Sequence, residues 1–206
     1  MIDQIVFGTR GSSLALFQTD SVIAKLKVLY PDILYKRKVI KTQGDRDQDS
    51  SLTLTEELGL FSNEIQSELV KNNIDAAVHS LKDVPVEHSE DLFLAAIPER
   101  VDAKDVLYHP EGLSINDLPT DSVVGTCSLR RRGQIRNLRK DIVIKDIRGN
   151  IQTRIDKVHS GEYDAIVLAA AGLIRLGHDI SGYYVFDYDE ITPAPGQGAL
   201  AVETRR

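Results

Sequence analysis

The sequence has a single cysteine, Cys127, so no disulfide can close within the chain, which suits a reducing cytoplasm. It contains no run of about 18 apolar residues, so no transmembrane helix and no membrane partner are expected. The start, MIDQIVFGTRGSS, lacks a basic segment followed by a long apolar one, and a secretory signal is not expected. There is no GxxxxGK[ST] loop and no GxGxxG after a strand, which argues against the usual nucleotide-binding loops. The five histidines (His79, His88, His109, His159, His178) include no i,i+4 pair, and no metal site is expected. The acids of TQGDRDQD at 42–49 do not follow the EF-hand spacing; the stretch reads as a polar loop, a linker or a weak cation loop. Tandem repeats and low-complexity segments are also missing.

What is present is enough for one large domain or two ordinary ones: 206 residues, 42% of them hydrophobic. The net charge of −6 argues against general nucleic-acid affinity. The charge is uneven. Residues 130–157 hold ten Lys/Arg against three Asp/Glu, a local +7 inside an acidic chain. This is either a solvated basic face or a localised anion site.

Short apolar runs alternate with amphipathic stretches, which indicates an α/β fold. A strand at 5–7 leads through the tight turn GTRGSS into a helix with Ala15, Val22, Leu26 and Leu29 on one face, ended by Pro31. Strands follow at 35–40, 74–79 and 92–97, with a helix at 62–72 capped by Ser62. A second set has strands at 122–124, 142–147 and 165–169. Its helices lie at 129–139, with Gly133 a weak point, and after Asn150 with Ile151, Ile155 and Val158 inward and Gly161 closing; a short one covers 170–176. IVFGTRGSS and SVVGTCS echo one another: apolar strand, Gly-Thr, then serine at a helix start. Two halves with exposed helix N-termini suggest a two-domain protein with an anion-binding cleft between them.

Arg130, Arg131 and Arg132 fall in the first turn of a helix, where the dipole favours negative groups. Arg148 and Arg154, in IRGNIQTR, extend the patch from another strand-to-helix turn, and Arg10 adds a guanidinium from the first half. Several bidentate forks imply a multiply anionic ligand, and surface salt bridging is the alternative. Cys127 is either a thiol activated at a helix start or a small packed residue. In AAVHSLKDVP at 76–85, Lys82 and Asp83 follow a strand's carboxyl end, where open α/β sheets bind ligands. They form either a solvated turn or a reaction centre in which the carboxylate stabilises a developing cation.

Taken together, GTRGSSLALFQT, KTQGDRD, GLFSNEIQSEL, AAVHSLKDVP, VVGTCSLRRRGQIR, IRGNIQTRIDKV, AIVLAAAGL and PAPGQGALAVE cover nearly the whole chain. In this order they resemble the porphobilinogen deaminase (hydroxymethylbilane synthase) family. The resemblance implies two lobes like those of type II periplasmic binding proteins, each a mixed, mostly parallel sheet flanked by helices, with a cleft between. Domain 1 would comprise 1–97 plus 192–206 and domain 2 would comprise 98–191, with a small third domain after them.

The implied reaction joins four porphobilinogen molecules into hydroxymethylbilane with loss of ammonia. Asp83 would be the catalytic residue. Lys82, Ser80, Ser12, Thr126, Ser128, Arg130, Arg131, Arg148 and Gly149 would bind a dipyrromethane cofactor. Arg10, Gln18, Arg148, Arg154 and Gln197 would bind substrate, and KTQGDRD would form a loop over the cleft. The resemblance further implies a cytoplasmic transferase, a monomer, with porphobilinogen as its small-molecule partner.

Two features depart from the family. The family attaches its dipyrromethane to a cysteine in the third domain, and this sequence stops at Arg206; Cys127, in the domain 2 turn, is not expected to be that attachment site. The expectation is therefore a fragment with no covalent cofactor and little or no deaminase activity. Arg132, a third consecutive arginine, has no assigned role. The competing class is a two-lobed anion-binding module without chemistry; a nucleic-acid binder is disfavoured because no aromatic interleaves the arginines.

Overall fold

The computed structural model describes residues 2–42, 63–86 and 89–206. From Gln43 onward, the loop expected of KTQGDRD and TQGDRDQD lies outside the described residues, and so does the Ser62 cap. In chain order the elements are β1 (Gln4–Thr9), α1 (Ser13–Leu29), β2 (Leu34–Val39), α2 (Asn63–Val70), β3 (Ala76–Ser80), β4 (Leu92–Ala96), β5 (Asp105–Tyr108) and β6 (Val123–Gly125). They continue with α3 (Leu129–Leu138), β7 (Val143–Lys145), α4 (Ile151–His159), β8 (Ala165–Ala169), α5 (Ala170–Arg175), β9 (Tyr184–Val185) and β10 (Leu200–Arg205).

The chain divides into two units, Met1–Arg100 with Ala199–Arg206, and Val101–Gly198. The return to the first unit falls after Gly198 rather than after residue 191. Hydrogen bonds from Gln197 Nε2 to Ala103 O, from Val101 N to Gly198 O and from Arg175 Nη2 to Gly198 O tie the 192–198 stretch to the second unit.

Unit 1 has the strand order β2-β1-β3-β10-β4, with β1 parallel to β2 and β3 and with β10 antiparallel to β3 and β4. Alternation along β3 sends Ala76 and Val78 to one face, with Phe7, Val22, Ile23 and Tyr35. Ala77 goes to the other, with Ile65, Leu69, Ile74 and Leu92. Helices α1 and α2 thus cover opposite faces, as a sheet with a parallel centre requires. Leu29 keeps the angular position of Val22 but lies in the last turn of α1, past the cluster that Leu26 still joins. It is 68% exposed rather than buried as expected.

Unit 2 repeats this plan as β7-β6-β8-β5-β9, with β6 parallel to β7 and β8 and with β5 antiparallel to β8 and β9. Leu107, Val124, Ile135, Ala165 and Val167 pack on the α3 side; Val106, Ile147, Ile155, Ile166 and Leu173 pack on the α4 side. The repeat extends to single side chains. Asp75 Oδ2 accepts from Val6 N at 2.7 Å in unit 1, and Asp164 Oδ2 accepts from Val123 N at 2.6 Å in unit 2. Gly8 and Gly125 lie at the carboxyl ends of β1 and β6, each before a threonine. A Cβ on Gly8 would clash with Ile74 Cδ1, and one on Gly125 would meet Ile147 Cγ2 at 3.0 Å.

The helix ends follow local chemistry. Ser12, Ser128 and Asn150 are N-caps whose side chains accept from Ala15 N, Arg131 N and Thr153 N. Helix α4 ends in a Schellman pair, Glu162 N to Lys157 O and Gly161 N to Val158 O, with Gly161 at φ +77° as the sequence indicates. Among the described residues, no helix is long and apolar enough to cross a membrane.

Candidate functional site

In unit 1, parallel pairing puts the carboxyl ends of β1 and β3 side by side. The chain leaves β3 at Ser80. Leu81 N donates to Ala199 O, and Val84 N donates to Leu81 O, which closes a 3₁₀ turn over Leu81–Asp83 before Pro85. This turn exposes both Lys82 and Asp83. Beside it, the start of α1 brings Arg10, Ser12, Ala15 and Gln18 against Ser80 and Asp83 around a cavity of about 80 Å³. Gln18 is buried and donates from Nε2 to Ser80 Oγ at 3.0 Å, which fixes the hydroxyl that faces the cavity.

In unit 2, the arginines are held unequally. Arg131 is buried, with Nε and Nη2 on Asp105 Oδ1 at 3.1 and 2.7 Å and Nη1 on Val167 O at 3.0 Å. Arg130 reaches Asp105 Oδ2 through Nη2 at 2.7 Å and Thr192 O through Nη1. Gln197 Nε2 also donates to Asp105 Oδ1, at 2.9 Å. Burial alone would raise the Asp105 pKa, but the charges and hydrogen bonds of Arg131 and Arg130 outweigh it and hold the carboxyl below its ordinary value. Arg132 forms an ion pair with Asp146.

Arg148 and Arg154 differ from these. Arg154 Nε donates to Gly149 O at 2.8 Å, and among the described residues neither Arg148 nor Arg154 has a carboxylate partner. Burial first, and then the charge of Arg131, push the Arg154 pKa below its ordinary value. A half-buried guanidinium next to a second cation, with no acid of its own, is suited to an external anion. Thr126 Oγ1 accepts from Ser128 N, and Ser128 caps α3. The Cys127 thiol donates to Ile147 O at 3.0 Å.

The structure thus gathers Arg10, Ser12, Gln18, Ser80 and Asp83 around one cavity in unit 1, with Lys82 in the same turn as Asp83. In unit 2 it gathers Arg130, Arg131 and Gln197 on one acid, with Arg154 close enough to feel the charge of Arg131. Three participants are not found by sequence reasoning. Asp105, fully buried, is the hub of the arginine cluster. Its only signal is an acid that opens the apolar run DVLY. Arg175 is buried with its Nη2 on Gly198 O, inside a helix read only as short. His79, which borders the unit 1 cavity, has Nε2 3.2 Å from the buried Glu203, and Glu203 also accepts from Gln66.

The fold matches solved structures of low sequence identity. It aligns with the reduced OxyR regulatory domain of Pseudomonas aeruginosa (TM-score 0.54, 13% identity, 99% of this chain and 89% of that one). It also aligns with the periplasmic VFT2 domain of Bordetella pertussis BvgS (TM-score 0.52, 13% identity, 100% and 81%). This likeness shows the type II periplasmic-binding-protein fold alone. Sequence relatives are far closer: the porphobilinogen deaminases of Deinococcus radiodurans (47% identity, 98% of this chain) and Thermus thermophilus (47%, 98%). The chain spans 66% and 65% of their lengths, about two thirds of the curated relatives it matches. The family model "Porphobilinogen deaminase, dipyromethane cofactor binding domain" matches residues 5–206. The chain therefore belongs to the porphobilinogen deaminase family.

Proposed function

We propose that this chain carries the catalytic carboxylate and the carboxylate-binding residues of a hydroxymethylbilane synthase. That transferase condenses four porphobilinogen molecules head to tail and releases ammonia at each addition. The observation that carries the reading is Arg154, half-buried beside Arg131 without a carboxylate of its own among the described residues. Porphobilinogen bears an acetate and a propionate, and a cation in this state is suited to such a group.

Asp83 is the catalytic residue in this reading. Loss of ammonia from the aminomethyl carbon leaves a cationic azafulvene, and a carboxylate in the turn after β3 would stabilise that charge as it develops. Arg10, Gln18, Arg148, Arg154 and Gln197 hold the substrate. Gln197 acts from within the buried network on Asp105.

The residues present also fit a dipyrromethane, because among the described residues Arg148 and Arg154 have no carboxylate partner, and guanidinium groups suit its acetate and propionate side chains. Lys82, Ser80, Ser12, Thr126, Ser128, Arg130, Arg148 and Gly149 would hold it, with the buried Arg131 behind them. When bound, it supplies the pyrrole carbon from which the polymer grows. The same reading makes the protein a cytoplasmic monomer that uses no nucleic acid and no membrane.

Titration calorimetry of the 206-residue chain with porphobilinogen tests the reading. Binding is expected in the wild type and weaker by about tenfold or more in Arg154→Leu, the cost of one charge-assisted hydrogen bond. Wild-type chain that does not bind, or Arg154→Leu that binds as well, would contradict it.

A further inference from the structure

We propose that Asp105 is a positioning residue of the carboxylate-binding array: it holds Arg131 as a buried buttress and presents Arg130 to the ligand. The inference rests on the functional reading above and assigns unequal roles within it. A carboxylate has about four lone-pair positions. Asp105 accepts four hydrogen bonds: Oδ1 takes those of Arg131 Nε, Arg131 Nη2 and Gln197 Nε2, and Oδ2 takes that of Arg130 Nη2. The Nε–Nη2 edge of Arg131, the edge suited to a bidentate fork, is committed to Asp105, and Nη1 is committed to Val167 O. Its side chain is 9% exposed. Arg130 gives Asp105 only one Nη2 bond, spends Nη1 on Thr192 O, and is 25% exposed. It keeps its Nε–H out of this network, in a position fixed by two partners. Asp105 itself is fully buried and cannot touch a ligand.

Charge alone and positioning predict effects of opposite sign. Arg130, Arg131 and Arg154 against Asp105 leave a net +2, and Asp105→Asn raises it to +3. If the arginines act only as charge, the folded variant binds a dicarboxylate more tightly. If Asp105 positions them, binding weakens, because two guanidinium groups lose their common anchor and repel each other.

The test is calorimetric titration of the 206-residue chain with porphobilinogen, in low salt and in about 0.5 M NaCl, where surface charge is screened. Asp105→Asn is expected to weaken binding by about tenfold or more in both, as expected for lost charge-assisted hydrogen bonds. The Arg131 Nε–H resonance, expected to exchange slowly in the ligand-free wild type, should lose its protection in the variant. Folded Asp105→Asn that binds equally well or more tightly overturns the proposal and leaves the functional reading intact. A wild-type chain that does not bind porphobilinogen overturns both. If Asp105→Asn does not fold, Arg131→Lys replaces it, since it keeps the charge but loses the fork. Weakened binding supports the buttress, and wild-type affinity overturns it.

Discussion

Gly149→Ala should destabilise unit 2 and loosen Arg154 at the same time. Gly149 sits at φ +109°, outside the regions an L-residue adopts readily. A Cβ built there lies 2.8 Å from Thr153 Cγ2 and 2.9 Å from Thr153 Cβ. The second contact is with an atom fixed to the backbone of α4, and the Thr153 hydroxyl is already bonded to the Asn150 cap. A side chain held in such a conformation costs about 1–3 kcal/mol. Reduced freedom of the unfolded chain returns about 0.4–1 kcal/mol. With the contact included, a net loss of about 2 kcal/mol is expected. For a unit of this size that lowers Tm by about 8–16 °C, read by differential scanning calorimetry. The carbonyl of Gly149 also receives Arg154 Nε, so porphobilinogen binding measured well below Tm should weaken as well. A Tm within about 2 °C of wild type would refute the strain argument, since it leaves less than about 0.5 kcal/mol to explain.

Other perturbations separate structure from site. Asp141, paired with Arg139 at 2.7 Å, has its carboxyl pulled down to about 2, chiefly by that hydrogen bond. A lowered folded-state pKa means the contribution is present above the unfolded pKa of about 3.9 and fades as pH falls toward about 2. Asp141→Asn should therefore lower Tm at pH 6, and by a much smaller amount near pH 2; an equal Tm difference at both pH values would contradict this. Tyr184 is pushed up to about 12, by burial first and then by its hydrogen bond to Glu190. Spectrophotometric titration should lose its highest tyrosine step in Tyr184→Phe, and an unchanged curve would refute the assignment. Ile135→Ala, at a fully buried position of α3, should cost about 2–5 kcal/mol in denaturant unfolding.

Much of this architecture is legible because local chemistry and tertiary packing agree. The Ser12, Ser128 and Asn150 caps and the Gly161 stop are read from a few adjacent residues, and the fold places them where those residues indicate, although strand pairing carries β1 on through Thr9 and β6 through Gly125. Strand β5 is not legible, because DVLY is short, lacks alternation and pairs with β8, more than fifty residues later. The arginine cluster is half legible. Its cost at a helix N-terminus signals a compensating negative group, and sequence reasoning assigns that group to a ligand. In the fold, Asp105, 25 residues before Arg130, supplies part of it, while Arg154 is left without an acid among the described residues. Burial of an acid opposite two arginines is a long-range fact that no window around either site contains. The return point after Gly198 is hidden for the same reason: it is set by hydrogen bonds to residues 101–105.

Asp83 as the group that drives ammonia loss is the central claim, and steady-state ammonia release measures it most directly. The assay compares wild type with Asp83→Asn in the longest open reading frame that contains this chain. Removing one preorganised charge-stabilising group should lower kcat by about 10²–10³-fold. KM and the circular dichroism spectrum should stay close to wild type, since the exposed side chain supports no core contact. A folded Asp83→Asn enzyme that releases ammonia within a factor of about three of the wild-type kcat would contradict the account.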